Sequence, residues 1–194
     1  MTTETRATLA DRLLDAAEAE IAEHGTTEIS LRAVARRAEV SHQAPGFAFR
    51  DRAGLLAALA ARGYRYLQEE IAAAREDQPE DAGGRAVLVE MGVAYVRATT
   101  RRPALFWLLT RVDVGVGRPE LEDARRRAVE TLVAAVRAAI ADGWHHDATP
   151  DELATLAWST VHGLAVLHRD ALGQLTAGSP EETARATMRL LLDR

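Results

Sequence analysis

The side chains in this sequence that could do chemistry favour recognition over catalysis. The chain has 194 residues, with six histidines and no cysteine, so disulfides, thiolate metal sites and cysteine nucleophiles are excluded. His145 and His146 are adjacent, which puts them on different faces of a helix or in a loop, and no acidic residue stands at metal-ligand spacing from them. A carboxylate-bridged dimetal bundle needs a pair of Glu-x-x-His steps, and the one such step here, Glu39 to His42, crosses a predicted turn. Neither a phosphate-cradling glycine loop nor a nucleophile elbow occurs. No catalytic role, metal or cofactor is therefore expected. What remains is a basic segment around Gln43 and a set of large side chains further on: Met91, Tyr95, Phe106, Trp107, Trp158 and His162.

The elements that must position these groups are helices. Apolar residues make up 47% and charged residues 27%, and alanine, leucine, arginine and glutamate favour helix by propensity. Apolar residues recur at steps of three and four nearly throughout. Leu9, Leu13, Ala17 and Ile21 predict a helix from about Thr5 to His24, ended by Gly25. Ser30 should cap a short helix carrying Leu31, Val34 and Ala35, and Ser41 a third helix running to about Phe49 with Pro45 in its first turn. A long helix follows from Asp51 and stops before Pro79. Further helices are predicted over 85–100, 103–110, 119–141, 150–173 and 180–193, four of them beginning at a proline. The expected fold is all-α.

Apolar runs are interrupted by arginine well before the roughly 18 residues of a membrane span. The polar start, Met1 to Arg6, lacks the basic head and apolar run of a secretion signal, so a cytoplasmic protein is expected. The net charge of −5 argues against a protein that coats nucleic acid wholesale. Local charge differs: between Ile29 and Arg52, five arginines face Glu39 and Asp51, an excess of three positive charges. Two short helices joined by a turn of three or four residues form a helix-turn-helix, whose second helix can enter the DNA major groove while the first crosses the backbone. With Leu31, Val34 and Ala35 turned inward, Arg32 and Arg36 are left outside to meet phosphate.

The run from Leu13 to Leu59 contains Leu14-Asp15-Ala16-Ala17, Glu23-His24-Gly25, Ser30-Leu31-Arg32-Ala33-Val34-Ala35, Ala38-Glu39-Val40-Ser41, Phe49, Arg52 and Leu55-Leu56. In that order and spacing it resembles the N-terminal domain of TetR-family transcriptional regulators. The later helices are similar in number and length to the family's C-terminal ligand-binding and dimerisation domain. Trp158-Ser-Thr-Val-His162-Gly163 resembles the motif that names its WHG-type variant. The resemblance implies a three-helix DNA-reading domain over residues 1–50 and a regulatory, dimerising helical bundle over 51–194.

It also implies roles. Ser30, Arg32 and Ser41 flank the reading surface. His42 and Gln43 sit at the exposed start of the recognition helix, where Gln43 has the geometry to read adenine and His42 to meet phosphate or guanine. Ala44 and Phe47 offer apolar surface to a thymine methyl, and Arg52 takes the place of a phosphate-binding lysine. Four other positions depart from the family. Glu39 replaces a turn glycine, so it should adopt a left-handed conformation at a cost of about 1 kcal/mol. Gly46 replaces a tyrosine whose hydroxyl meets phosphate, and Phe47 and Ala48 replace a polar pair.

The expected function is a ligand-responsive regulator that binds double-stranded DNA as a homodimer and releases it on binding a small apolar effector. The aromatic set from Met91 to His162 would line the effector site, since apolar cavities with a few polar groups commonly hold small molecules. Trp158 and His162, four apart, share a helix face, where stacking and a satisfied imidazole are expected. The alternative is a helical ligand-binding or adaptor protein with impaired DNA binding, to which Glu39 and Gly46 both point.

Overall fold

The computed structural model describes residues 8–109, 118–144, 147–169 and 178–193, and among them contains nine helices and no strand. The pair His145 and His146 lies outside the described residues. The all-α expectation holds. In chain order the helices are α1 (Leu9–His24), α2 (Leu31–Arg37), α3 (Ala44–Phe49), α4 (Arg52–Glu76), α5 (Gly84–Arg101), α6 (Pro103–Leu109), α7 (Pro119–Ala141), α8 (Pro150–Arg169) and α9 (Pro180–Leu192). Prolines 103, 119, 150 and 180 are each the first helical residue, where a missing N–H costs nothing.

Two starts differ from the sequence expectation by more than one residue. The first helix begins at Leu9, later than Thr5, because Thr8 and Asp11 form a reciprocal capping box: Thr8 accepts from the Asp11 N–H, and the Asp11 carboxylate accepts from the Thr8 N–H. The third helix begins at Ala44 instead of directly after Ser41. Gln43 is its N-cap and supplies no side-chain bond, while the Ser41 hydroxyl only accepts a long 3.4 Å bond from the Gln43 N–H within the turn.

The helices divide into two compact units: Met1–Gly63 with Pro103–Ala124, and Tyr64–Arg102 with Arg125–Arg194. Both α4 and α7 contribute residues to each.

In the first unit α1 packs on α2, α3 and α6. Leu13, Ala17, Ile21, Val34, Leu55 and Leu59 form its interior. Charges then fix α2 against α1. The Arg37 guanidinium bonds to Glu20 at 2.6 Å and also to Glu23, and Arg12 donates to the Ala38 carbonyl at 2.6 Å. Glu20 is a buried carboxylate, a burial that is tolerable only because Arg37 pairs with it.

In the second unit α5 is the central element, packed on α8 and α9. Gly92 lets them approach, since a β-carbon there would stand 2.9 Å from Met188 Cγ and 3.0 Å from Val161 Cγ1. Arg185 of α9 makes a two-pronged bond to Glu90 of α5, each arm 2.7 Å. Trp144, fully buried after the end of α7, donates its indole N–H to the Leu191 carbonyl at 3.2 Å.

Candidate nucleic-acid interface and effector cluster

The candidate reading surface is built from local geometry. Ser30 caps α2 by accepting from the Ala33 N–H at 3.1 Å. The chain then turns through Glu39, whose φ of 52° is left-handed as expected, with the Val40 N–H bonded back to Ala35 O at 3.0 Å. Ser41, His42 and Gln43 follow as exposed turn residues. Within α3, Pro45 is buried and Phe49 half-buried, so Ala48 and Phe47 face outward on the same side as Gln43. Phe47 is 83% exposed.

A second non-glycine residue with positive φ closes α3. Arg50, at φ 70° and ψ −54°, forms a γ-turn of the rarer hand, in which the Asp51 N–H bonds to Phe49 O at 2.9 Å. Asp51 then caps α4, its carboxylate accepting from the Gly54 N–H at 2.6 Å and from Arg118 at 3.1 Å. The Gly54 bond, and secondarily Arg118, hold the Asp51 carboxyl below its usual range. Sequence reasoning did not find this junction. Asp51 followed by Gly54 carries a capping signal, but nothing near it points to Arg118.

The arginines divide by role. Arg32, Arg36 and Arg50 are exposed. Arg37 is occupied by Glu20 and Glu23, and Arg52 donates to the Thr27 carbonyl at 2.7 Å and pairs with Glu28 at 3.1 Å. Part of the positive charge counted along the segment thus serves to hold helices together.

The effector candidates divide between the units. Phe106, buried, and Trp107, half-buried, belong to the first; Met91, Tyr95, Trp158 and His162 belong to the second. Three of the latter meet. The Tyr95 hydroxyl lies 3.0 Å from His162 Nδ1, and the Trp158 indole N–H donates to that hydroxyl at a long 3.4 Å. Burial pushes the Tyr95 hydroxyl up to about 12, while burial, with help from Arg169, moves His162 down from its ordinary value. Near neutral pH, Tyr95 therefore donates and His162 Nδ1 accepts, which leaves the imidazole proton on Nε2. The Trp158 and His162 rings do not stack. They meet edge to face at 6.1 Å and 61°, and Trp158 is 46% exposed. Met91 is buried one turn before Tyr95 on α5. Among the described residues no group of three or more His, Asp or Glu side chains could hold a metal ion, and no helix is long and apolar enough to cross a membrane.

A helix-turn-helix with this cap, turn and exposed second helix defines a class of DNA-binding regulatory protein. The family described as bacterial regulatory proteins of the tetR family matches residues 13–59, and the tetracyclin repressor-like C-terminal domain matches residues 88–191. The chain belongs to the TetR family of transcriptional regulators. Among solved structures it is similar to a protein of unknown function from a Rhodococcus species, with 28% identity, a TM-score of 0.80, and 100% of this chain and 98% of that one covered. The TetR-family transcriptional regulator PfmR from Thermus thermophilus has 20% identity and a TM-score of 0.72, over 94% of this chain and 98% of that one. The fatty acid degradation regulator FadR from Bacillus halodurans has 13% identity and a TM-score of 0.76, over 97% of each chain. The last two share the fold. No curated protein sequence matches this chain.

Proposed function

We propose that the chain is a dimeric repressor that binds an inverted-repeat operator through residues 1–50 and is released by a small apolar effector bound within residues 51–194. The observation that carries this reading is the exposed face of Gln43, Phe47 and Ala48, with half-buried Ala44 at its edge, beside the outward arginines Arg32 and Arg36. Gln43 and His42 supply hydrogen bonds to base edges, Ser30, Ser41 and the arginines meet phosphate, and Arg52 reaches phosphate only if it shares its guanidinium with Thr27 and Glu28.

We place the effector site at Tyr95, His162, Trp158 and Met91, where a buried hydroxyl and a half-buried imidazole lie beside a half-exposed indole. Phe106 and Trp107 are left out of it. Leu156, Leu167 and Leu190 are 41%, 42% and 72% exposed on α8 and α9, apolar surface that pairing with a second copy about a two-fold axis would bury. The effector acts by population shift, favouring a state in which the two recognition helices no longer match adjacent major grooves about 34 Å apart. As α4 supplies residues to both compact units and directly follows the recognition helix, it is one covalent route for that change.

The test is selection of bound duplexes from a randomised library by the purified chain, at low and moderate salt. An enriched inverted repeat whose affinity falls steeply with salt is expected. No enrichment above background would leave the second reading, a ligand-binding adaptor, which the exposed negative charge of Glu39 and the absent hydroxyl at Gly46 favour.

A further inference from the structure

The least expected surface of the molecule is α3 itself. None of its six residues, Ala44 to Phe49, has a side chain able to donate or accept a hydrogen bond. Among the described residues Phe47, at 83%, is the most exposed large hydrophobic side chain. Contacts within the chain do not account for a phenyl ring held in water, and among the described residues of the same compact unit the other exposed large apolar side chain is Leu9 of α1, at 46%. The surroundings are cationic and polar: Arg32, Arg36 and Arg50 are exposed, as are His42 and Gln43. A β-carbon on Gly46 would meet nothing within 4 Å, so the approach to Phe47 is open along the helix.

In the major groove the base edges present donors, acceptors and one apolar group, the C5 methyl of thymine. A helix without polar side chains cannot tell base pairs apart by hydrogen bonding. It can tell them apart by that methyl. Building on the reading of the chain as an operator-binding regulator, we propose that α3 reads pyrimidine C5 methyl groups, with Phe47 as the specificity-determining side chain and Ala44 and Ala48 as its apolar neighbours. Hydrogen-bonded readout is then confined to His42 and Gln43 in the turn before the helix. The same chemistry extends to 5-methylcytosine, which carries an identical methyl on the same ring carbon, so occupancy of the operator becomes sensitive to cytosine methylation wherever Phe47 lies.

The test uses the full-length chain and a duplex selected from a randomised library, resynthesised with uracil in place of thymine. Uracil keeps every hydrogen-bonding group and loses only the methyl. Binding is expected to weaken about fourfold for each methyl contacted, and about fifteenfold for one in each half-site. In Phe47→Ala, whose folding is checked by thermal melting, the two duplexes should bind within about twofold of each other. At a contacted position where cytosine replaces thymine with loss of affinity, 5-methylcytosine should recover part of the loss. Equal binding of the thymine and uracil duplexes by the unmodified chain would overturn the methyl readout and leave the regulator reading standing. An undiminished thymine preference in Phe47→Ala would remove Phe47 from that role, and failure to recover affinity with 5-methylcytosine would count against the extension. Failure to enrich any duplex would overturn the regulator reading, and the inference with it.

Discussion

Gly54 lies against the carbonyl oxygen of Phe49 so closely that a β-carbon on it would stand 2.1 Å from that oxygen. The obstacle is backbone, and that backbone is already committed to the γ-turn at Arg50. Gly54→Ala would gain up to about 1 kcal/mol of helix propensity, but making room for the methyl requires the junction of α3 and α4 to open, at a cost of about 1–3 kcal/mol. A net loss of thermal stability is expected, together with weaker DNA binding as α3 shifts. A melting temperature at or above that of the unmodified chain would show that the close approach does not constrain the junction.

The two strained residues give predictions of opposite sign. Glu39→Gly relieves the left-handed conformation at 52° and should raise unfolding free energy by about 1 kcal/mol, read as a higher denaturant midpoint at unchanged slope. It also removes a negative charge from the proposed DNA-facing side, so affinity should rise at low salt. Arg50→Gly should stabilise the fold for the same reason at φ 70°, yet weaken DNA binding through the lost cation. If both variants move affinity in the same direction, charge at this surface is not what governs binding.

How far the sequence predicted these features depended on whether each signal was local. Pro103, Pro119, Pro150 and Pro180 marked helix starts because the missing N–H is a property of one residue. The positive φ of Glu39 was foreseen since a family glycine is absent there. Caps misled where residue type stood in for geometry: Ser41 could have capped, but the turn spends three residues before α3 begins. Arg37 and Arg52 were counted as free charge because their partners, Glu20, Glu23 and Glu28, lie in preceding segments that charge counting treats separately. Tyr95 and His162 were both singled out, but their bond joins residues 67 positions apart on different helices, which no periodicity reveals. Trp144 was missed altogether, as a lone aromatic beyond the end of α7 belongs to no apolar stripe.

At Gly46 the space for a side chain is open. Gly46→Tyr should tighten operator binding by on the order of 1 kcal/mol, combining one phosphate hydrogen bond with better helix propensity. Titration of one duplex with both proteins decides it. Equal or weaker binding would mean that Phe47 has changed how α3 docks.

The partial burial of His162, with Arg169 nearby, should make stability depend on mildly acidic pH. Because the folded protein holds His162 below its ordinary value of 6.5, the unfolded chain takes up a proton first as the pH falls. The stabilisation is complete above that value and is lost as pH drops through the lower folded value. In His162→Gln, which cannot titrate, melting temperature should vary less with pH in that window. An identical slope in both proteins would place the sensitivity elsewhere.

Leu190 at 72% and Leu156 at 41% exposure test the dimer. Sedimentation at micromolar concentration should give the mass of two chains, and the paired change Leu156→Glu and Leu190→Glu should give the mass of one and abolish operator binding while leaving helix content intact. An unmodified chain that sediments as a single copy would remove the two-half-site mechanism.

A helix of six residues does not hold its shape in water unaided. That of α3 is imposed from outside, by buried Pro45, by Phe49, and by the Asp51 junction to α4. Its outward positions, Phe47 and Ala48, and Gln43 just before it carry almost none of that burden. Over evolutionary time they can be exchanged at little risk to folding, so, with the proposed reading role of this face, a lineage that inherits this frame is free to change the DNA sequences it answers to, while Gly54, Asp51 and Pro45 are far less open to change.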